Sequence, residues 1–464
     1  MKSKKDPKCE PRQLLGKSLS GYSSGIFAQF LLSNVFNSYL FIYMTLIIGL
    51  DGLIVSVAMA VGSIVNAVSS PLFGYLSDVK KPTKFGKRKP FLIGALPLLT
   101  ISFIIIWLAP GWNDASVATF FFIFQITYYV NYAMLRSPYL AMVQEQSQVE
   151  ANRVRISTLQ GLFSILATII GIIFPLIITG LMDSPKTPTA NDIALMRFLL
   201  PLFSIIFSAL AILFTLIAYK SVDESFMLDG DECIEKQEKR SFISIFKGLI
   251  RPFEDPEYRK WLFASMSMNT GIRIITMNLT LFFSIVLRLE DAMVPIYAVL
   301  AIPAAFAGFV VWSKRAKTVG LKKTYIQSTL LIFAFLLSTV TLFLTRPESD
   351  TESQIVMQIH AFIIIAGVLF NLVGGFILPN PIISAHVDNA PDFLKNKASQ
   401  SLSGVYFGAN SIMLNVANAI GALIVGALLS GGNENNPFMV LLVMPFASFA
   451  YLAGVFIYSK AKLD

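Results

Sequence analysis

The amino-acid sequence predicts an all-α integral membrane protein with 12 transmembrane helices in two pseudo-symmetric six-helix bundles. Three observations predict it. The 464 residues are 55% hydrophobic and only 14% charged, with 39 Phe, and the mean hydropathy is +0.66. A soluble chain of this size carries roughly a quarter charged residues. The apolar residues also fall in twelve continuous runs, each long enough to cross a hydrocarbon core of about 30 Å. Finally, the basic residues collect on one side of those runs. A disordered chain, a disulfide scaffold and an ordinary soluble enzyme are excluded. Cys9 and Cys233 are the only cysteines, too few and too far apart for a disulfide framework or a metal site.

The runs cover about 22–49, 53–77, 90–109, 115–141, 156–181, 196–219, 259–287, 292–313, 323–345, 354–380, 399–430 and 437–459. They are continuous rather than alternating, which excludes a strand reading. The first twenty residues are charged and hold no apolar core, so no cleavable signal peptide is expected. The expected organisation is a tail at 1–21, a six-helix bundle at 22–219, a central loop at 220–258, a second bundle at 259–459 and a tail at 460–464. Of the 37 basic residues, 31 lie on the side shared by the tails and even-numbered loops. The opposite side holds Lys186, Arg197, Arg288 and Arg346, while Arg136 and Arg273 lie inside spans. This bias places both termini in the cytoplasm of a multi-pass plasma-membrane protein. It also accounts for the net charge of +9 as a topology signal, so no nucleic-acid partner is expected. In the central loop, Phe242, Ile245, Phe246 and Leu249 stand at helical spacing. They predict a short helix on the inner membrane surface; a plain linker is the alternative.

A repeat supports the two-bundle architecture. The loop after the second span contains Gly74, Asp78, Lys80, Lys81, Lys84, Gly86, Lys87, Arg88 and Lys89. The loop after the eighth contains Gly308, Trp312, Lys314, Arg315, Lys317, Gly320, Lys322 and Lys323. In both, the glycines stand twelve apart with basic clusters at matching offsets, which indicates parallel repeats around a central path. The pattern Gly74…Ser77-Asp78…Gly86-Lys87-Arg88-Lys89-Pro90 resembles the signature loop of the major facilitator superfamily. Within that superfamily the chain resembles the glycoside–pentoside–hexuronide:cation symporters, the melibiose-carrier group. Further stretches carrying the resemblance are Asn66–Gly74, Arg136–Val143, Pro252–Pro256 and His386–Gly408. Asp78 and Arg88, with Gly86 between them, are the expected latch, because a carboxylate at a helix end can pair with the guanidinium or a neighbouring helix N-terminus.

The resemblance implies carboxylates in the second and fourth spans that hold Na⁺ or H⁺. Those positions fall here on Asn66, Ser70 and Arg136. The family's acid in the first span falls near Gln29 or Phe30, and its lysine in the eleventh near Leu414 or Asn415. None of the 28 Asp and Glu residues lies inside a predicted span. This puts Na⁺ coupling through the family's site in doubt and leaves H⁺ coupling open. Three readings stay open for Arg136: a built-in replacement for the cation, a grip on an anionic group of the substrate, or a structural arginine paired with Glu145 or capping carbonyls. Arg273, with Asn269 and Thr276 a turn away on either side, either favours an anionic ligand or lipid or bonds carbonyls. His360, the one histidine inside a span, reads as a proton carrier or as an ordinary packed histidine.

The remaining candidates are uncharged. Gln29, Ser33 and Asn37 share a face of the first span, and Asn66 and Ser70 share one in the second. Gln125, Tyr128 and Tyr132 lie with Arg136 on a polar aromatic face of the fourth. Asn410, Ser411, Asn415 and Asn418 belong to the eleventh. Amides, hydroxyls and aromatic rings, including Tyr39, Tyr43 and Tyr406, are the groups a sugar needs; interhelical hydrogen bonding is the plainer use of each. No P-loop, metal spacing, nucleophile motif or cofactor motif is present, so an enzyme is not expected. The expected function is secondary transport of a small polar solute, a sugar, glycoside or hexuronide, by alternating access. An organic-anion or lysolipid-like lipid carrier or flippase of the same fold is the alternative, with membrane lipids as surroundings in either case.

Overall fold

The computed structural model describes residues 12–111, 113–182, 188–224, 248–287, 293–345, 351–395 and 402–462. Their long helices are α1 (Gly16–Ile42), α2 (Gly52–Val79), α3 (Lys89–Ile105), α4 (Asp114–Gln146), α5 (Glu150–Thr179) and α6 (Ala190–Ser221). They continue as α7 (Pro256–Leu281), α8 (Met293–Val319), α9 (Leu321–Ser338), α10 (Thr351–Ile377), α11 (Pro379–Asp388), α12 (Leu402–Leu429) and α13 (Pro437–Ser459). α10 and α11 run on as a single apolar span, interrupted at Leu378. Among the described residues ten stretches are long and apolar enough to cross a membrane. α5 adds the shorter apolar stretch Arg155–Gly171. The chain is an all-α, multi-pass membrane protein.

Several helices begin ahead of the apolar runs that predict them, α4, α6 and α7 among them. α4 starts at Asp114 behind the side chain of Asn113, which accepts the Ser116 N–H at 2.9 Å. α7 starts behind Asp255, which accepts from Glu257 N and Tyr258 N. Acidic residues thus occupy first turns, where the helix dipole favours them. Pro71, Pro97, Pro138, Pro201, Pro303 and Pro445 stand inside helices without ending them. Membrane helices tolerate this because neighbours and local adjustments satisfy the freed carbonyls.

The chain divides into two compact units. The first comprises 1–36, 68–172 and 197–245; the second comprises 37–67, 173–196 and 246–464. In the first unit α3 packs on α4, and Phe36 of α1 stacks on Tyr128 of α4 with ring centroids 4.0 Å apart. In the second, α7 packs against α12 and α13, and α10 lies against α8 and α9. Large apolar side chains such as Phe198, Phe306, Ile363 and Phe456 are exposed, as expected where lipid is the solvent.

Of the surface helix expected in the central loop, Phe242, Ile245 and Phe246 lie outside the described residues, as do Cys9 and Cys233. Leu249 is buried, with a methyl 2.5 Å from where a Cβ on Gly408 would sit. It is a packing residue of the second unit and not part of a surface-lying face.

Candidate functional site

Two of the sequence-predicted polar faces are distinguished by their accessibility. Between Leu31 and Tyr43, α1 is buried all round except along Ser33, Asn34, Asn37 and Ser38. α7 is likewise enclosed from Met268 to Thr280 except along Asn269, Ile272, Thr276 and Leu279, a stripe that alternates polar and apolar side chains. A membrane helix exposed to lipid shows apolar side chains there. Part-accessible polar side chains on an otherwise enclosed stretch of a membrane helix are expected to face other protein or water rather than lipid.

The fourth-span face divides. Tyr128, Tyr129 and Tyr132 are buried, and Tyr128 stacks between Phe36 and Tyr132, so much of this aromatic stripe is core. Arg136 remains partly accessible. It donates from Nη1 to the Tyr132 hydroxyl at 2.9 Å and lies 5.2 Å from the centre of the Phe30 ring. Among the described residues no carboxylate pairs with it. Glu145, one expected partner, is committed to Arg88 instead. Gln29 Oε1, both amide atoms of Gln125, the Tyr128 hydroxyl and Asn410 Oδ1 are buried without a hydrogen-bond partner among the described residues.

Other candidates serve packing within the second unit. Asn66 Nδ2 donates to Asn415 Oδ1 at 2.8 Å, and Asn415 Nδ2 to the Ser411 carbonyl at 2.9 Å. The predicted faces of the second and eleventh spans therefore do meet. Arg273 is only 3% exposed and donates to the Asn37 carbonyl at 3.2 Å. Its Cβ lies 2.7 Å from where a Cβ on Gly421 would sit, so only glycine lets α12 approach it this closely. Asp51 accepts from Gly431 N at 3.3 Å. The second half of α1 is thus fastened to α7, and the α1–α2 turn to the loop after α12. The bond to the Asn37 carbonyl is the arrangement expected of Arg273 under its carbonyl-bonding reading. Tyr406 is wholly buried, its hydroxyl donating to Asp255 at 2.7 Å and its carbonyl accepting from Tyr258 at 2.6 Å; it does not line a path. Ser70 is half-buried on α2. His360 is half-buried, its Nε2 3.2 Å from the Thr341 hydroxyl.

The signature loop forms a charge network. Arg88 is 4% exposed. Its Nη2 reaches Asp78 Oδ1 at 2.5 Å and Glu145 Oε1 at 2.8 Å, its Nε reaches Glu145 Oε2 at 2.8 Å, and its Nη1 reaches Ser77 at 3.1 Å. The Glu145 contact is a two-bond fork, the strong form of a guanidinium–carboxylate pair. Burial pulls the Arg88 pKa down, but Glu145 and Asp78 more than offset it, and the net shift is upward.

Sequence reasoning missed Glu224. Just beyond α6, its carboxylate accepts from Lys87 N at 2.7 Å, Arg88 N at 3.1 Å and Lys89 N at 3.3 Å. It caps α3 from a distance, since Arg88 at the N-cap has no capping side chain of its own. Burial raises the Glu224 pKa, Glu145 adds to the rise, and the backbone N–H groups oppose it. Gly86 has φ +93°, and a Cβ there would lie 2.0 Å from Glu224 Oε2. Only the glycine hinted at the close approach; nothing in the local pattern pointed to an acid 138 residues on.

Comparison with known proteins agrees with this architecture. The family model described as MFS/sugar transport protein matches residues 21–456. The chain belongs to that family. It is a family of transporters rather than enzymes. An uncharacterized symporter of Synechocystis sp. is 27% identical over 198 residues, covering 41% of this chain and 36% of the relative. A sodium-dependent lysophosphatidylcholine symporter of Xenopus tropicalis is 22% identical over 116 residues, 25% of this chain and 22% of the relative. The chain therefore spans about a third or less of the length of these relatives. Among solved structures, a D-xylose–proton symporter superposes with a TM-score of 0.68 at 13% identity, covering 96% of this chain and 97% of that one. A nucleoside transporter superposes at 0.62 with 12% identity, covering 97% and 100%. These likenesses are of fold.

Proposed function

We propose that this protein moves a hydroxyl-rich small solute of the sugar, glycoside or hexuronide class by alternating access. The observation that carries the reading is the polar stripe of α1, Ser33, Asn34, Asn37 and Ser38, open on a helix that is otherwise enclosed. The buried amide atoms of Gln29 and Gln125, unpartnered among the described residues, support it, because sugar hydroxyls satisfy such groups in both directions. Arg136, held by Tyr132 and Phe30 and unpaired with any described carboxylate, favours the acidic members of the class: guanidinium N–H groups not spent on the protein suit a carboxylate. The excess of basic residues in the even-numbered loops supports cytoplasmic termini in a plasma membrane. The coupling ion is not Na⁺ held at the family's acidic site, since Asn66, Ser70 and Arg136 occupy those positions and a hard cation prefers carboxylate or carbonyl oxygens; H⁺ remains the ion to test.

The same anion-gripping chemistry serves a phosphate head group. The names of the lysophosphatidylcholine symporter and of a sphingosine-1-phosphate transporter from Xenopus tropicalis, 26% identical over 110 residues, favour a lysolipid as the second reading. Proteoliposomes given a neutral glucoside or its glucuronide, with and without a Na⁺ gradient, separate these. Glucuronide uptake indifferent to Na⁺, and lost in Arg136→Ala while the variant still folds, is the expected result. Na⁺-driven uptake would overturn the coupling argument. No sugar uptake together with transbilayer movement of a lysophospholipid would replace the first reading by the second.

A further inference from the structure

The signature loop carries more positive charge than its network uses. Arg88 is satisfied by Asp78 and Glu145, and Glu224 is spent on backbone N–H groups. Lys80, Lys81, Lys84, Lys87 and Lys89 form no ion pair with a described carboxylate. Lys80 lies over the Phe91 ring at 5.0 Å and Lys89 over Tyr219 at 4.6 Å, which keeps both ammonium groups beside the helix ends.

Between them stands a closed turn. Thr83 N donates to the Gly86 carbonyl at 3.2 Å, Gly86 N to the Thr83 carbonyl at 2.7 Å, and the Thr83 hydroxyl to Gly86 O at 2.9 Å. The positive φ of Gly86 completes the reversal. Lys84 and Phe85 are its tip. Phe85 is 58% exposed, and Lys81 and Lys84 are exposed with it. On the last turns of α2, Leu76 and Val79 are also exposed, so the lipid-facing apolar surface runs up to this turn. A polar loop has no need of a rigidly presented Phe. One ringed by lysines at the end of a membrane span matches the boundary between acyl chains and anionic head groups. Because the base of the turn is tied to Arg88 and Glu224, little conformational freedom is lost on docking.

We propose that the Thr83–Gly86 turn is a docking surface for anionic phospholipid, with Phe85 entering the interface and Lys80, Lys81 and Lys84 binding the head groups. The test uses the full-length protein in nanodiscs of equimolar phosphatidylglycerol and phosphatidylcholine, extracted into detergent, with retained lipid counted by native mass spectrometry. Wild type is expected to retain phosphatidylglycerol preferentially. K81Q/K84Q is expected to lower the preference by about 25-fold, since each basic side chain near an anionic surface contributes roughly a factor of five. F85S is expected to lower retention by about two- to threefold without altering its salt dependence. The variant K314Q/K317Q, in the matching loop of the second half, is expected to leave it unchanged. Retention without lipid preference in wild type would overturn the proposal and leave the surface to an acidic protein partner. An equal loss in K314Q/K317Q would overturn it too, by reducing the effect to overall charge.

Discussion

The stretch from Gly74 to Lys89 and the stretch from Gly308 to Lys323 share a glycine reversal and differ in the rest: the first leaves helix from Lys80 to Arg88, whereas the second is helical except at Gly320. In each, the second glycine has a positive φ, +93° at Gly86 and +95° at Gly320, and the next helix starts within three residues. The side chains then diverge. The first loop buries Arg88 between Asp78 and Glu145. In the second, Trp312 stands at the position of Asp78 and donates its indole N–H to the Phe370 carbonyl at 3.1 Å. Lys322 stands at the position of Arg88 and donates to the carbonyls of Ser459 and Ala461 at the end of α13. Arg315 reaches only Gln327, at the surface. The repeat thus preserves a backbone reversal, while the chemistry that fastens it is free to differ. Buried charge fastens the first loop; a helix terminus fastens the second.

That contrast can be broken by substitution, starting with the largest effect. Arg88→Ala strands two carboxylates and should cost about 3–5 kcal/mol, read as a lowered thermal unfolding midpoint in detergent. A loss below about 1 kcal/mol would mean the network is solvated and the two loops are alike after all. Gly86→Ala combines a disfavoured φ with a Cβ driven into Glu224 and should cost about 1–3 kcal/mol. The double variant with Glu224→Ala should recover part of that loss, whereas Gly320→Ala, with nothing within 4 Å of its Cβ, should suffer only the φ strain.

Glu224→Gln sharpens the electrostatic side. A carboxyl with a raised folded pKa binds its proton more tightly folded than unfolded, so its contribution is fully present below the ordinary value of 4.5 and is lost as pH rises through the raised value. The stability of the Gln variant relative to wild type should therefore increase with pH across that window, when unfolding midpoints are compared at stepped pH. A pH-independent difference would sink the burial argument. Lys322→Gln should cost about 0.3–1 kcal/mol, the usual value of a cation at a helix C-terminus. Arg315→Ala should stay within about 0.5 kcal/mol, as surface changes do.

Legibility in the sequence followed the range of the interactions. Helix existence was readable because twenty apolar residues in a row leave few alternatives, while helix ends ran past the apolar runs, as at Asp114 and Pro256. The Asp78–Arg88 pair was readable because both partners lie on one short loop. Arg273 was recognised as a buried cation, but its acceptor, the Asn37 carbonyl, lies 236 residues away, and no local pattern specifies which backbone oxygen a distant helix will present. Tyr406 was read as a cavity aromatic and is instead tied to Asp255 and Tyr258.

By itself the sequence determined the solvent, the helical class, the repeated glycine reversal and the family resemblance, because these rest on composition and on contacts within one loop. Only the tertiary structure decided which polar residues stay accessible and which become packing. It left Ser33, Asn37 and Arg136 partly open, closed Arg273 and Tyr406, and brought Glu145 and Glu224 to the signature loop. The physical reason is that a polar side chain in a membrane helix must find a partner somewhere, and whether that partner is a neighbouring helix or a solute depends on which helices lie beside it.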